Sequence, residues 1–132
     1  MHKIDSFEYS VMTNKDISTT VRDLTDHLKE KGFGVLGTLD FTSLLKNKGI
    51  QFDKNYRLLE VCNPIAAKRA LDTDIRVGLL LPCTIAVYEE DGKTRISLLK
   101  PSSLLSLIGN EELNKLGNDI EPRLKEAIDE TR

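Results

Sequence analysis

The chain has 132 residues, of which 39% are apolar and 30% charged, and its formal net charge is -2. This length and composition predict a single globular domain over residues 1–132 that buries its own core without a disulfide or a metal. The 19 basic and 21 acidic residues are spread along the chain, and Trp is absent. We therefore expect no nucleic-acid partner, because neither a basic face nor a base-stacking platform is present.

The apolar segments are too short for a membrane span. The longest is about Val77 to Pro82, whereas a spanning helix needs roughly 20 residues. The first ten residues, MHKIDSFEYS, include Asp5 and Glu8 and lack the apolar region of a secretory signal. We expect no membrane association and a cytoplasmic location, where thiols stay reduced.

The first third of the chain predicts a strand, a helix and a second strand. Residues 7–12, FEYSVM, alternate as a half-buried strand does. Asp16 is a typical N-cap for the helix that follows, and Gly32 is a typical stop. Residues 33–40 predict a second strand, and Thr42–Lys48 a short helix. The apolar stripe of the first helix consists of Ile17, Val21, Leu24 and Leu28.

The middle of the chain predicts a strand that leads directly into a helix. Residues Tyr56–Cys62 read as the third strand. Asn63 is a favourable N-cap, and Pro64 is favoured at the first helical position because its missing N–H has no partner there anyway. We expect this helix to run to about Leu71.

The next segment predicts a β-hairpin. Its strands are expected at Leu79–Glu90 and Lys93–Lys100, and Asp91-Gly92 is the matching two-residue turn. Pro101 ends the second strand, and a turn of helix through about Leu107 follows.

Residues 110–130 predict a C-terminal helix that contains Pro122, which either kinks this helix or splits it near residues 117–119. The element order β-α-β-α-β-α-β-β-α predicts an α+β domain of two layers, with helices packed on a mixed or antiparallel sheet. The apolar stripe of the last helix is Leu113, Leu116, Ile120, Leu124 and Ile128.

The common catalytic patterns are missing. His2 and His27 read as surface side chains, and GFGVLG at 32–37 follows a helix instead of opening one, so it is no phosphate loop. The spacing supports neither a Ser-His-Asp set nor a CxxC pair. We expect no cofactor and no resident metal. Whether the protein is an enzyme stays open, with Glu60 and Tyr88 as acid–base candidates.

Cys62 is the strongest candidate for a functional residue. Strand alternation puts Glu60 on the same face as Cys62, where a carboxylate raises the thiol pKa if both ionise. The helix start after Asn63 is expected to lower the pKa of the Cys62 thiol, because helix N-termini favour thiolates. They also favour small anionic ligands. If the face that carries Glu60 is buried, its carboxylate must be paired or face a cleft or a partner. Alternatively, Glu60 faces solvent. Packing is the competing interpretation for Cys62, since free cysteines are often buried.

Cys83 follows Pro82 and shares the apolar parity of Ile85 and Val87. This favours core packing. If the two strands are neighbours, the thiols of Cys62 and Cys83 lie near each other, although spacing alone does not establish it.

Two blocks carry a family resemblance, YRLLEVCNPIAAKRAL at 56–71 and GLLLPCTIAVYEEDGKTRISLLKP at 78–101. Their E-x-C-N-P and L-L-P-C elements resemble the family catalogued as domain of unknown function 302, over roughly residues 7–130. The resemblance implies a compact two-layer α+β fold, a homodimer, and relatives from bacteria and archaea that are in some cases fused to redox or sulfur-handling domains. It implies no activity. The signature positions are Glu60, Cys62, Asn63, Pro64, Pro82 and Cys83.

Three hypotheses follow. In the first, the chain binds a small anionic or sulfur-containing ligand or handles thiols, with Glu60, Cys62, Asn63 and Cys83 as ligand-binding candidates. In the second, it is a non-catalytic homodimerisation domain in which both cysteines are core residues. In the third, Cys62 and Cys83 of two subunits ligate zinc, although one chain supplies only two of the four ligands.

Overall fold

A computed structural model describes residues 7–132. Its strands are β1 (Glu8–Thr13), β2 (Gly34–Asp40), β3 (Tyr56–Cys62), β4 (Cys83–Glu90) and β5 (Lys93–Leu99). Its α-helices are α1 (Ile17–Glu30), α2 (Phe41–Asn47), α3 (Pro64–Thr73), α4 (Pro101–Leu105) and α5 (Glu111–Thr131). Short 3-10 helices span Ile75–Leu80 and Ser106–Ile108.

The strands form one antiparallel sheet in the order β1-β5-β4-β3-β2. The predicted α+β class is confirmed, and of the two predicted sheet types the antiparallel one is found. β3 and β4 are neighbours, and in their register Val61 lies opposite Cys83. Directly opposed residues share a face of the sheet, so this register fixes which side chains enter the core.

One face of the sheet carries the core. Leu59, Ile85 and Leu98 on this face are fully buried. Leu24 and Leu28 of α1 are fully buried as well, as the helical spacing predicted. Each such side chain contributes about 1.5–3 kcal/mol by leaving water. The buried stripe of α5, also as predicted, comprises Leu113, Leu116, Ile120, Leu124 and Ile128.

The predicted helix starts at Asp16 and Asn63 are confirmed by their hydrogen bonds. The Asp16 carboxylate accepts from the N–H of Thr19 at 2.7 Å. The Asn63 side-chain oxygen accepts from the N–H of Ala66 at 3.0 Å, and Pro64 occupies the first helical position. Each cap of this kind is worth about 1 kcal/mol. These local signals therefore fix where β3 ends and α3 begins.

The hairpin begins later than the sequence predicted. Of the strand expected at Leu79–Glu90, the first two residues belong instead to the 3-10 helix Ile75–Leu80, and β4 starts at Cys83. Asp74 initiates the 3-10 helix, because its carboxylate accepts from the N–H of Arg76 at 2.9 Å. Pro82 then delays the strand, since proline has no N–H to donate to a ladder.

Of the two outcomes predicted for Pro122, the split is wrong, since α5 runs from Glu111 to Thr131 as one helix with an exposed Pro122 inside it. The nearby Gly117 has a packing reason. A Cβ added there would lie 3.0 Å from the carbonyl oxygen of Pro101, so α4 and α5 approach each other closely at this point.

Within residues 7–132, no helix is both long and apolar enough to cross a membrane.

Candidate functional site

A small apolar cleft lies where β3 and β4 meet the helices, with a volume of about 20 Å³. That is room for about one water molecule. The described residues that line it include no charged side chain. We call this site the thiol cleft, and its lining residues are Phe33, Val61, Cys62, Asn63, Ala66, Ala67, Leu81, Pro82, Cys83, Leu105, Leu116 and Ile120.

The two cysteines reach the thiol cleft from adjacent strand ends. Cys62 is the last residue of β3, where the chain leaves the sheet for α3, and Cys83 is the first residue of β4. Cys62 is partly exposed and Cys83 is buried. Because β3 and β4 run antiparallel, the end of one and the beginning of the other lie side by side. Both thiols are free in the described structure.

Burial keeps both thiols protonated at neutral pH. It raises the pKa of Cys62 above its ordinary value. It raises the pKa of Cys83 to about 11, with a smaller contribution from the charge that Cys62 carries when ionised. The pKa of Cys62 thus moves opposite to the lowering expected from a helix N-terminus, since loss of hydration is the dominant influence.

The start of α3 has few backbone donors left for an anion. Pro64 has no N–H, and the N–H of Ala66 is taken by the side chain of Asn63. The N–H of Ala67 donates to the carbonyl of Asn63 at 2.9 Å. At most the N–H of Ile65 remains in this first turn. Asn63 and Pro64 stabilise the start of α3, but they leave few backbone N–H groups there to bind an anion.

Glu60 lies apart from the other three candidates. It sits opposite Thr84 on β4 and Gly37 on β2, and it does not line the thiol cleft. Cys62, Asn63 and Cys83 are brought together there instead. Glu60 nevertheless stays on the same face of β3 as Cys62, opposite the buried Leu59 and Val61, as strand alternation predicted.

The other acid–base candidate, Tyr88, also lies outside the thiol cleft. Its ring stacks on Tyr56 with centroids 4.9 Å apart. Burial raises the pKa of the Tyr88 hydroxyl. It therefore remains a neutral side chain at physiological pH.

A charged groove adjoins the thiol cleft, with a volume of about 240 Å³. We call it the arginine groove, because Arg69 of α3 and Arg123 of α5 line it together with Asp119. The Arg123 guanidinium lies 5.2 Å from the centre of the Phe33 ring and donates to the Lys31 carbonyl at 3.3 Å. The walls shared by the groove and the cleft are Asn63, Ala66, Leu116 and Ile120.

Sequence reasoning missed both arginines. Arg69 is three residues after Ala66 on α3, so helical spacing was enough to place the two side chains on the same helix face, beside the Asn63 cap. No local signal placed Arg123 near α3, because α5 reaches the start of α3 only through tertiary packing.

Comparisons with known proteins agree with the fold. The family model described as domain of unknown function DUF302 matches residues 9–131. The chain is 38% identical to a protein of known crystal structure, an uncharacterized conserved DUF302 protein from Bacillus stearothermophilus. The TM-score is 0.92, over 96% of this chain and 98% of that one. A search of curated proteins gives no significant match.

Proposed function

The chain belongs to the DUF302 family of domains of unknown function, and we propose that it binds a small ligand with a sulfur-containing or apolar end and an anionic group. The observation that carries this proposal is the shared wall between the thiol cleft and the arginine groove. The sulfur-containing or apolar end enters the cleft beside Cys62. The anionic group lies in the groove beside Arg69 and Arg123.

The chemistry of the two compartments supports this division. Two protonated thiols and apolar walls suit an uncharged, polarizable group, because an ion there loses its hydration without gaining a partner. The groove supplies two guanidinium groups, which favour planar anions such as carboxylates, although Asp119 offsets part of their charge. In the reducing cytoplasm that the sequence favours, both thiols stay reduced.

Methanethiosulfonate reagents of different charge test this proposal on Cys62. We would compare the anionic sulfonatoethyl reagent with the cationic trimethylammonium-ethyl reagent, reading modification of each cysteine by peptide mass spectrometry. We expect the anionic-to-cationic rate ratio at Cys62 to exceed that of N-acetylcysteine several-fold. Arg69→Gln or Arg123→Gln should lower the ratio, because each removes one guanidinium from the groove.

Arg22→Gln is the matched control, since Arg22 lies exposed on α1 and does not line the groove. It should leave the ratio unchanged. If the wild-type ratio equals that of N-acetylcysteine, or if all three arginine variants change it alike, the groove does not select anions and the proposal fails.

Homodimerisation is a second candidate function, favoured by apolar side chains exposed along β2, α2 and the loop after α2. Leu36 is 69% exposed on β2, which is an edge strand of the sheet with unpaired backbone groups. Exposed apolar side chains of this kind are typical of protein interfaces. The others in this region are Leu39, Leu44, Ile50 and Phe52.

Sedimentation velocity tests the dimer. A wild-type dimer should dissociate in Leu36→Lys and persist in Leu79→Lys, because Leu79 is equally apolar and 90% exposed but lies in the 3-10 helix before β4. A monomeric wild type over the micromolar range, or a dimer that survives Leu36→Lys, would exclude this interface.

A further inference from the structure

Three metal-ligating side chains meet where the last turn of α1 packs near the last turn of α5. A ring nitrogen of His27 and one carboxylate oxygen from each of Glu30 and Glu130 all lie within 4.8 Å of one another. His27 and Glu30 are three residues apart on α1, so they share one helix face. We call this group the imidazole–carboxylate cluster. It lies outside the residues that line the thiol cleft and the arginine groove.

The hydrogen bonds of Thr131 determine the tautomer of His27. The Thr131 hydroxyl donates its proton to the carbonyl of Ala127 at 2.8 Å. The same hydroxyl oxygen lies 2.8 Å from Nδ1 of His27. Both contacts are hydrogen bonds only if Nδ1–H donates to the Thr131 oxygen. In the neutral tautomer with this Nδ1–H, Nε2 carries the lone pair that a metal ion binds.

Thr131 also holds the imidazole ring in place. It is fully buried, and its backbone carbonyl accepts from Nζ of Lys15 at 2.7 Å. The buried hydroxyl fixes the plane of the ring, and the adjacent residue, Glu130, supplies a carboxylate. The two helix ends favour a cation further, because helix C-termini carry partial negative charge.

A lysine competes with a cation at this cluster. Nζ of Lys31 lies 3.1 Å from a carboxylate oxygen of Glu130 and 2.5 Å from one of Glu126. A metal ion at Glu130 displaces the first contact, while the second leaves the ammonium paired. Because Lys31 competes with the metal ion for Glu130, removing Lys31 should strengthen metal binding.

We propose that His27, Glu30 and Glu130 bind a divalent transition-metal ion, with zinc as the best match. Zinc accepts one imidazole and two carboxylates, and three protein ligands leave one position for water. The imidazole selects against magnesium and calcium, which prefer oxygen ligands throughout. The site is partly exposed, so it exchanges its metal with solution.

Isothermal titration of EDTA-treated protein with zinc chloride tests this site. We expect one zinc ion per chain, and a loss of affinity of roughly tenfold or more in His27→Gln and in Glu130→Gln. Lys31→Met should tighten binding. Glu112→Gln is the matched control, because Glu112 is an exposed glutamate at the opposite end of α5, and it should bind zinc as the wild type does.

Titration with cobalt separates this site from the cysteines. Binding at the imidazole–carboxylate cluster gives visible cobalt bands without thiolate-to-cobalt charge transfer. If wild-type protein binds no zinc up to millimolar concentration, the proposal is overturned. Undiminished binding in His27→Gln with native circular dichroism, or strong charge-transfer absorption that persists in that variant, overturns it as well.

Discussion

The thiol cleft and the imidazole–carboxylate cluster place metal- and ligand-binding side chains in opposite environments. In the cleft, burial raises the pKa of both thiols and the lining residues carry no charge. In the cluster, two carboxylates are exposed and only the residue behind the imidazole, Thr131, is buried. Burial therefore decides which chemistry a side chain offers. Cysteines in the thiol cleft act as neutral groups, whereas the carboxylates of the cluster are open to cations from solution.

Helix α5 contributes to both regions, and this makes the comparison testable. Its middle part supplies Leu116 and Ile120 to the thiol cleft, and its last turn supplies Glu130 and Thr131 to the cluster. A change that acts only by unfolding α5 would damage both. A change that acts locally should damage one and spare the other.

The largest effect is expected from Phe33→Ala, which acts on the thiol cleft. Phe33 is 2% exposed and lines the cleft, so truncating it should cost about 3–5 kcal/mol in the free energy of unfolding. Urea denaturation measures this loss. Zinc affinity of the folded variant should stay unchanged.

Leu79→Ala is the control, since Leu79 is 90% exposed and should change stability by less than about 0.5 kcal/mol. A loss below about 1 kcal/mol in Phe33→Ala would mean that the cleft is loosely packed, contrary to the small volume described above.

An intermediate effect is expected from Thr131→Val, which acts on the cluster. The change removes the acceptor of the His27 Nδ1–H while preserving shape, so it should cost about 1 kcal/mol in unfolding free energy. It should also weaken zinc binding about tenfold, because the imidazole loses its fixed orientation. Urea denaturation and zinc titration measure the two effects.

Thr25→Val provides the matched comparison. Its hydroxyl donates to the Val21 carbonyl at 2.7 Å, as that of Thr131 donates to the Ala127 carbonyl, but among the described residues it forms no hydrogen bond with a histidine. Equal zinc affinities for the two threonine variants would show that Thr131 does not position His27.

The smallest effect is expected from Asp74→Asn, at a carboxylate paired on the surface. Hydrogen bonds from Arg76 lower the pKa of the Asp74 carboxyl to about 2. Because the folded pKa lies below the unfolded value of about 3.9, ionised Asp74 stabilises the fold above that pH. This contribution is lost as the pH falls through about 2. The variant should therefore melt slightly below wild type at pH 7.

Thermal melts across the acid range check this sign. The difference in Tm between wild type and Asp74→Asn should narrow steadily as the pH falls below about 4. A difference that widens in acid would contradict the account, since it would require the protonated carboxyl to be the stabilising form.

Much of the fold could be predicted because its signals are local. Asp16 and Asn63 cap their helices through bonds to residues three positions away, and Asp91-Gly92 forms the turn between β4 and β5 with both residues at positive φ. The 3-10 helix at Ile75–Leu80 was missed because its apolar residues resemble a strand, while its determinants are the Asp74 cap and Pro82.

The site was harder to predict, because its contacts are distant in sequence. His27 reads as a surface residue from helical spacing, yet its ring bonds Thr131, which is 104 positions away. Arg123 reaches the arginine groove only through the packing of α5. Cys62 and Cys83 were both identified as candidates, but their proximity depends on the pairing of β3 with β4.

The neutral state of the two thiols is tested by the alkylation rate of each cysteine with iodoacetamide from pH 5 to 9, read by mass spectrometry on native protein. Cys62 should react with an apparent pKa above the free-thiol value of about 8.5, because burial disfavours its thiolate. Cys83 should stay unmodified, since a pKa of about 11 leaves roughly 0.1% thiolate at pH 8. Rapid alkylation of Cys62 with an apparent pKa well below 8.5 would contradict the claim that burial keeps its thiol neutral. Two cysteines that react only after unfolding would contradict the partial exposure of Cys62, on which ligand access to the thiol cleft depends.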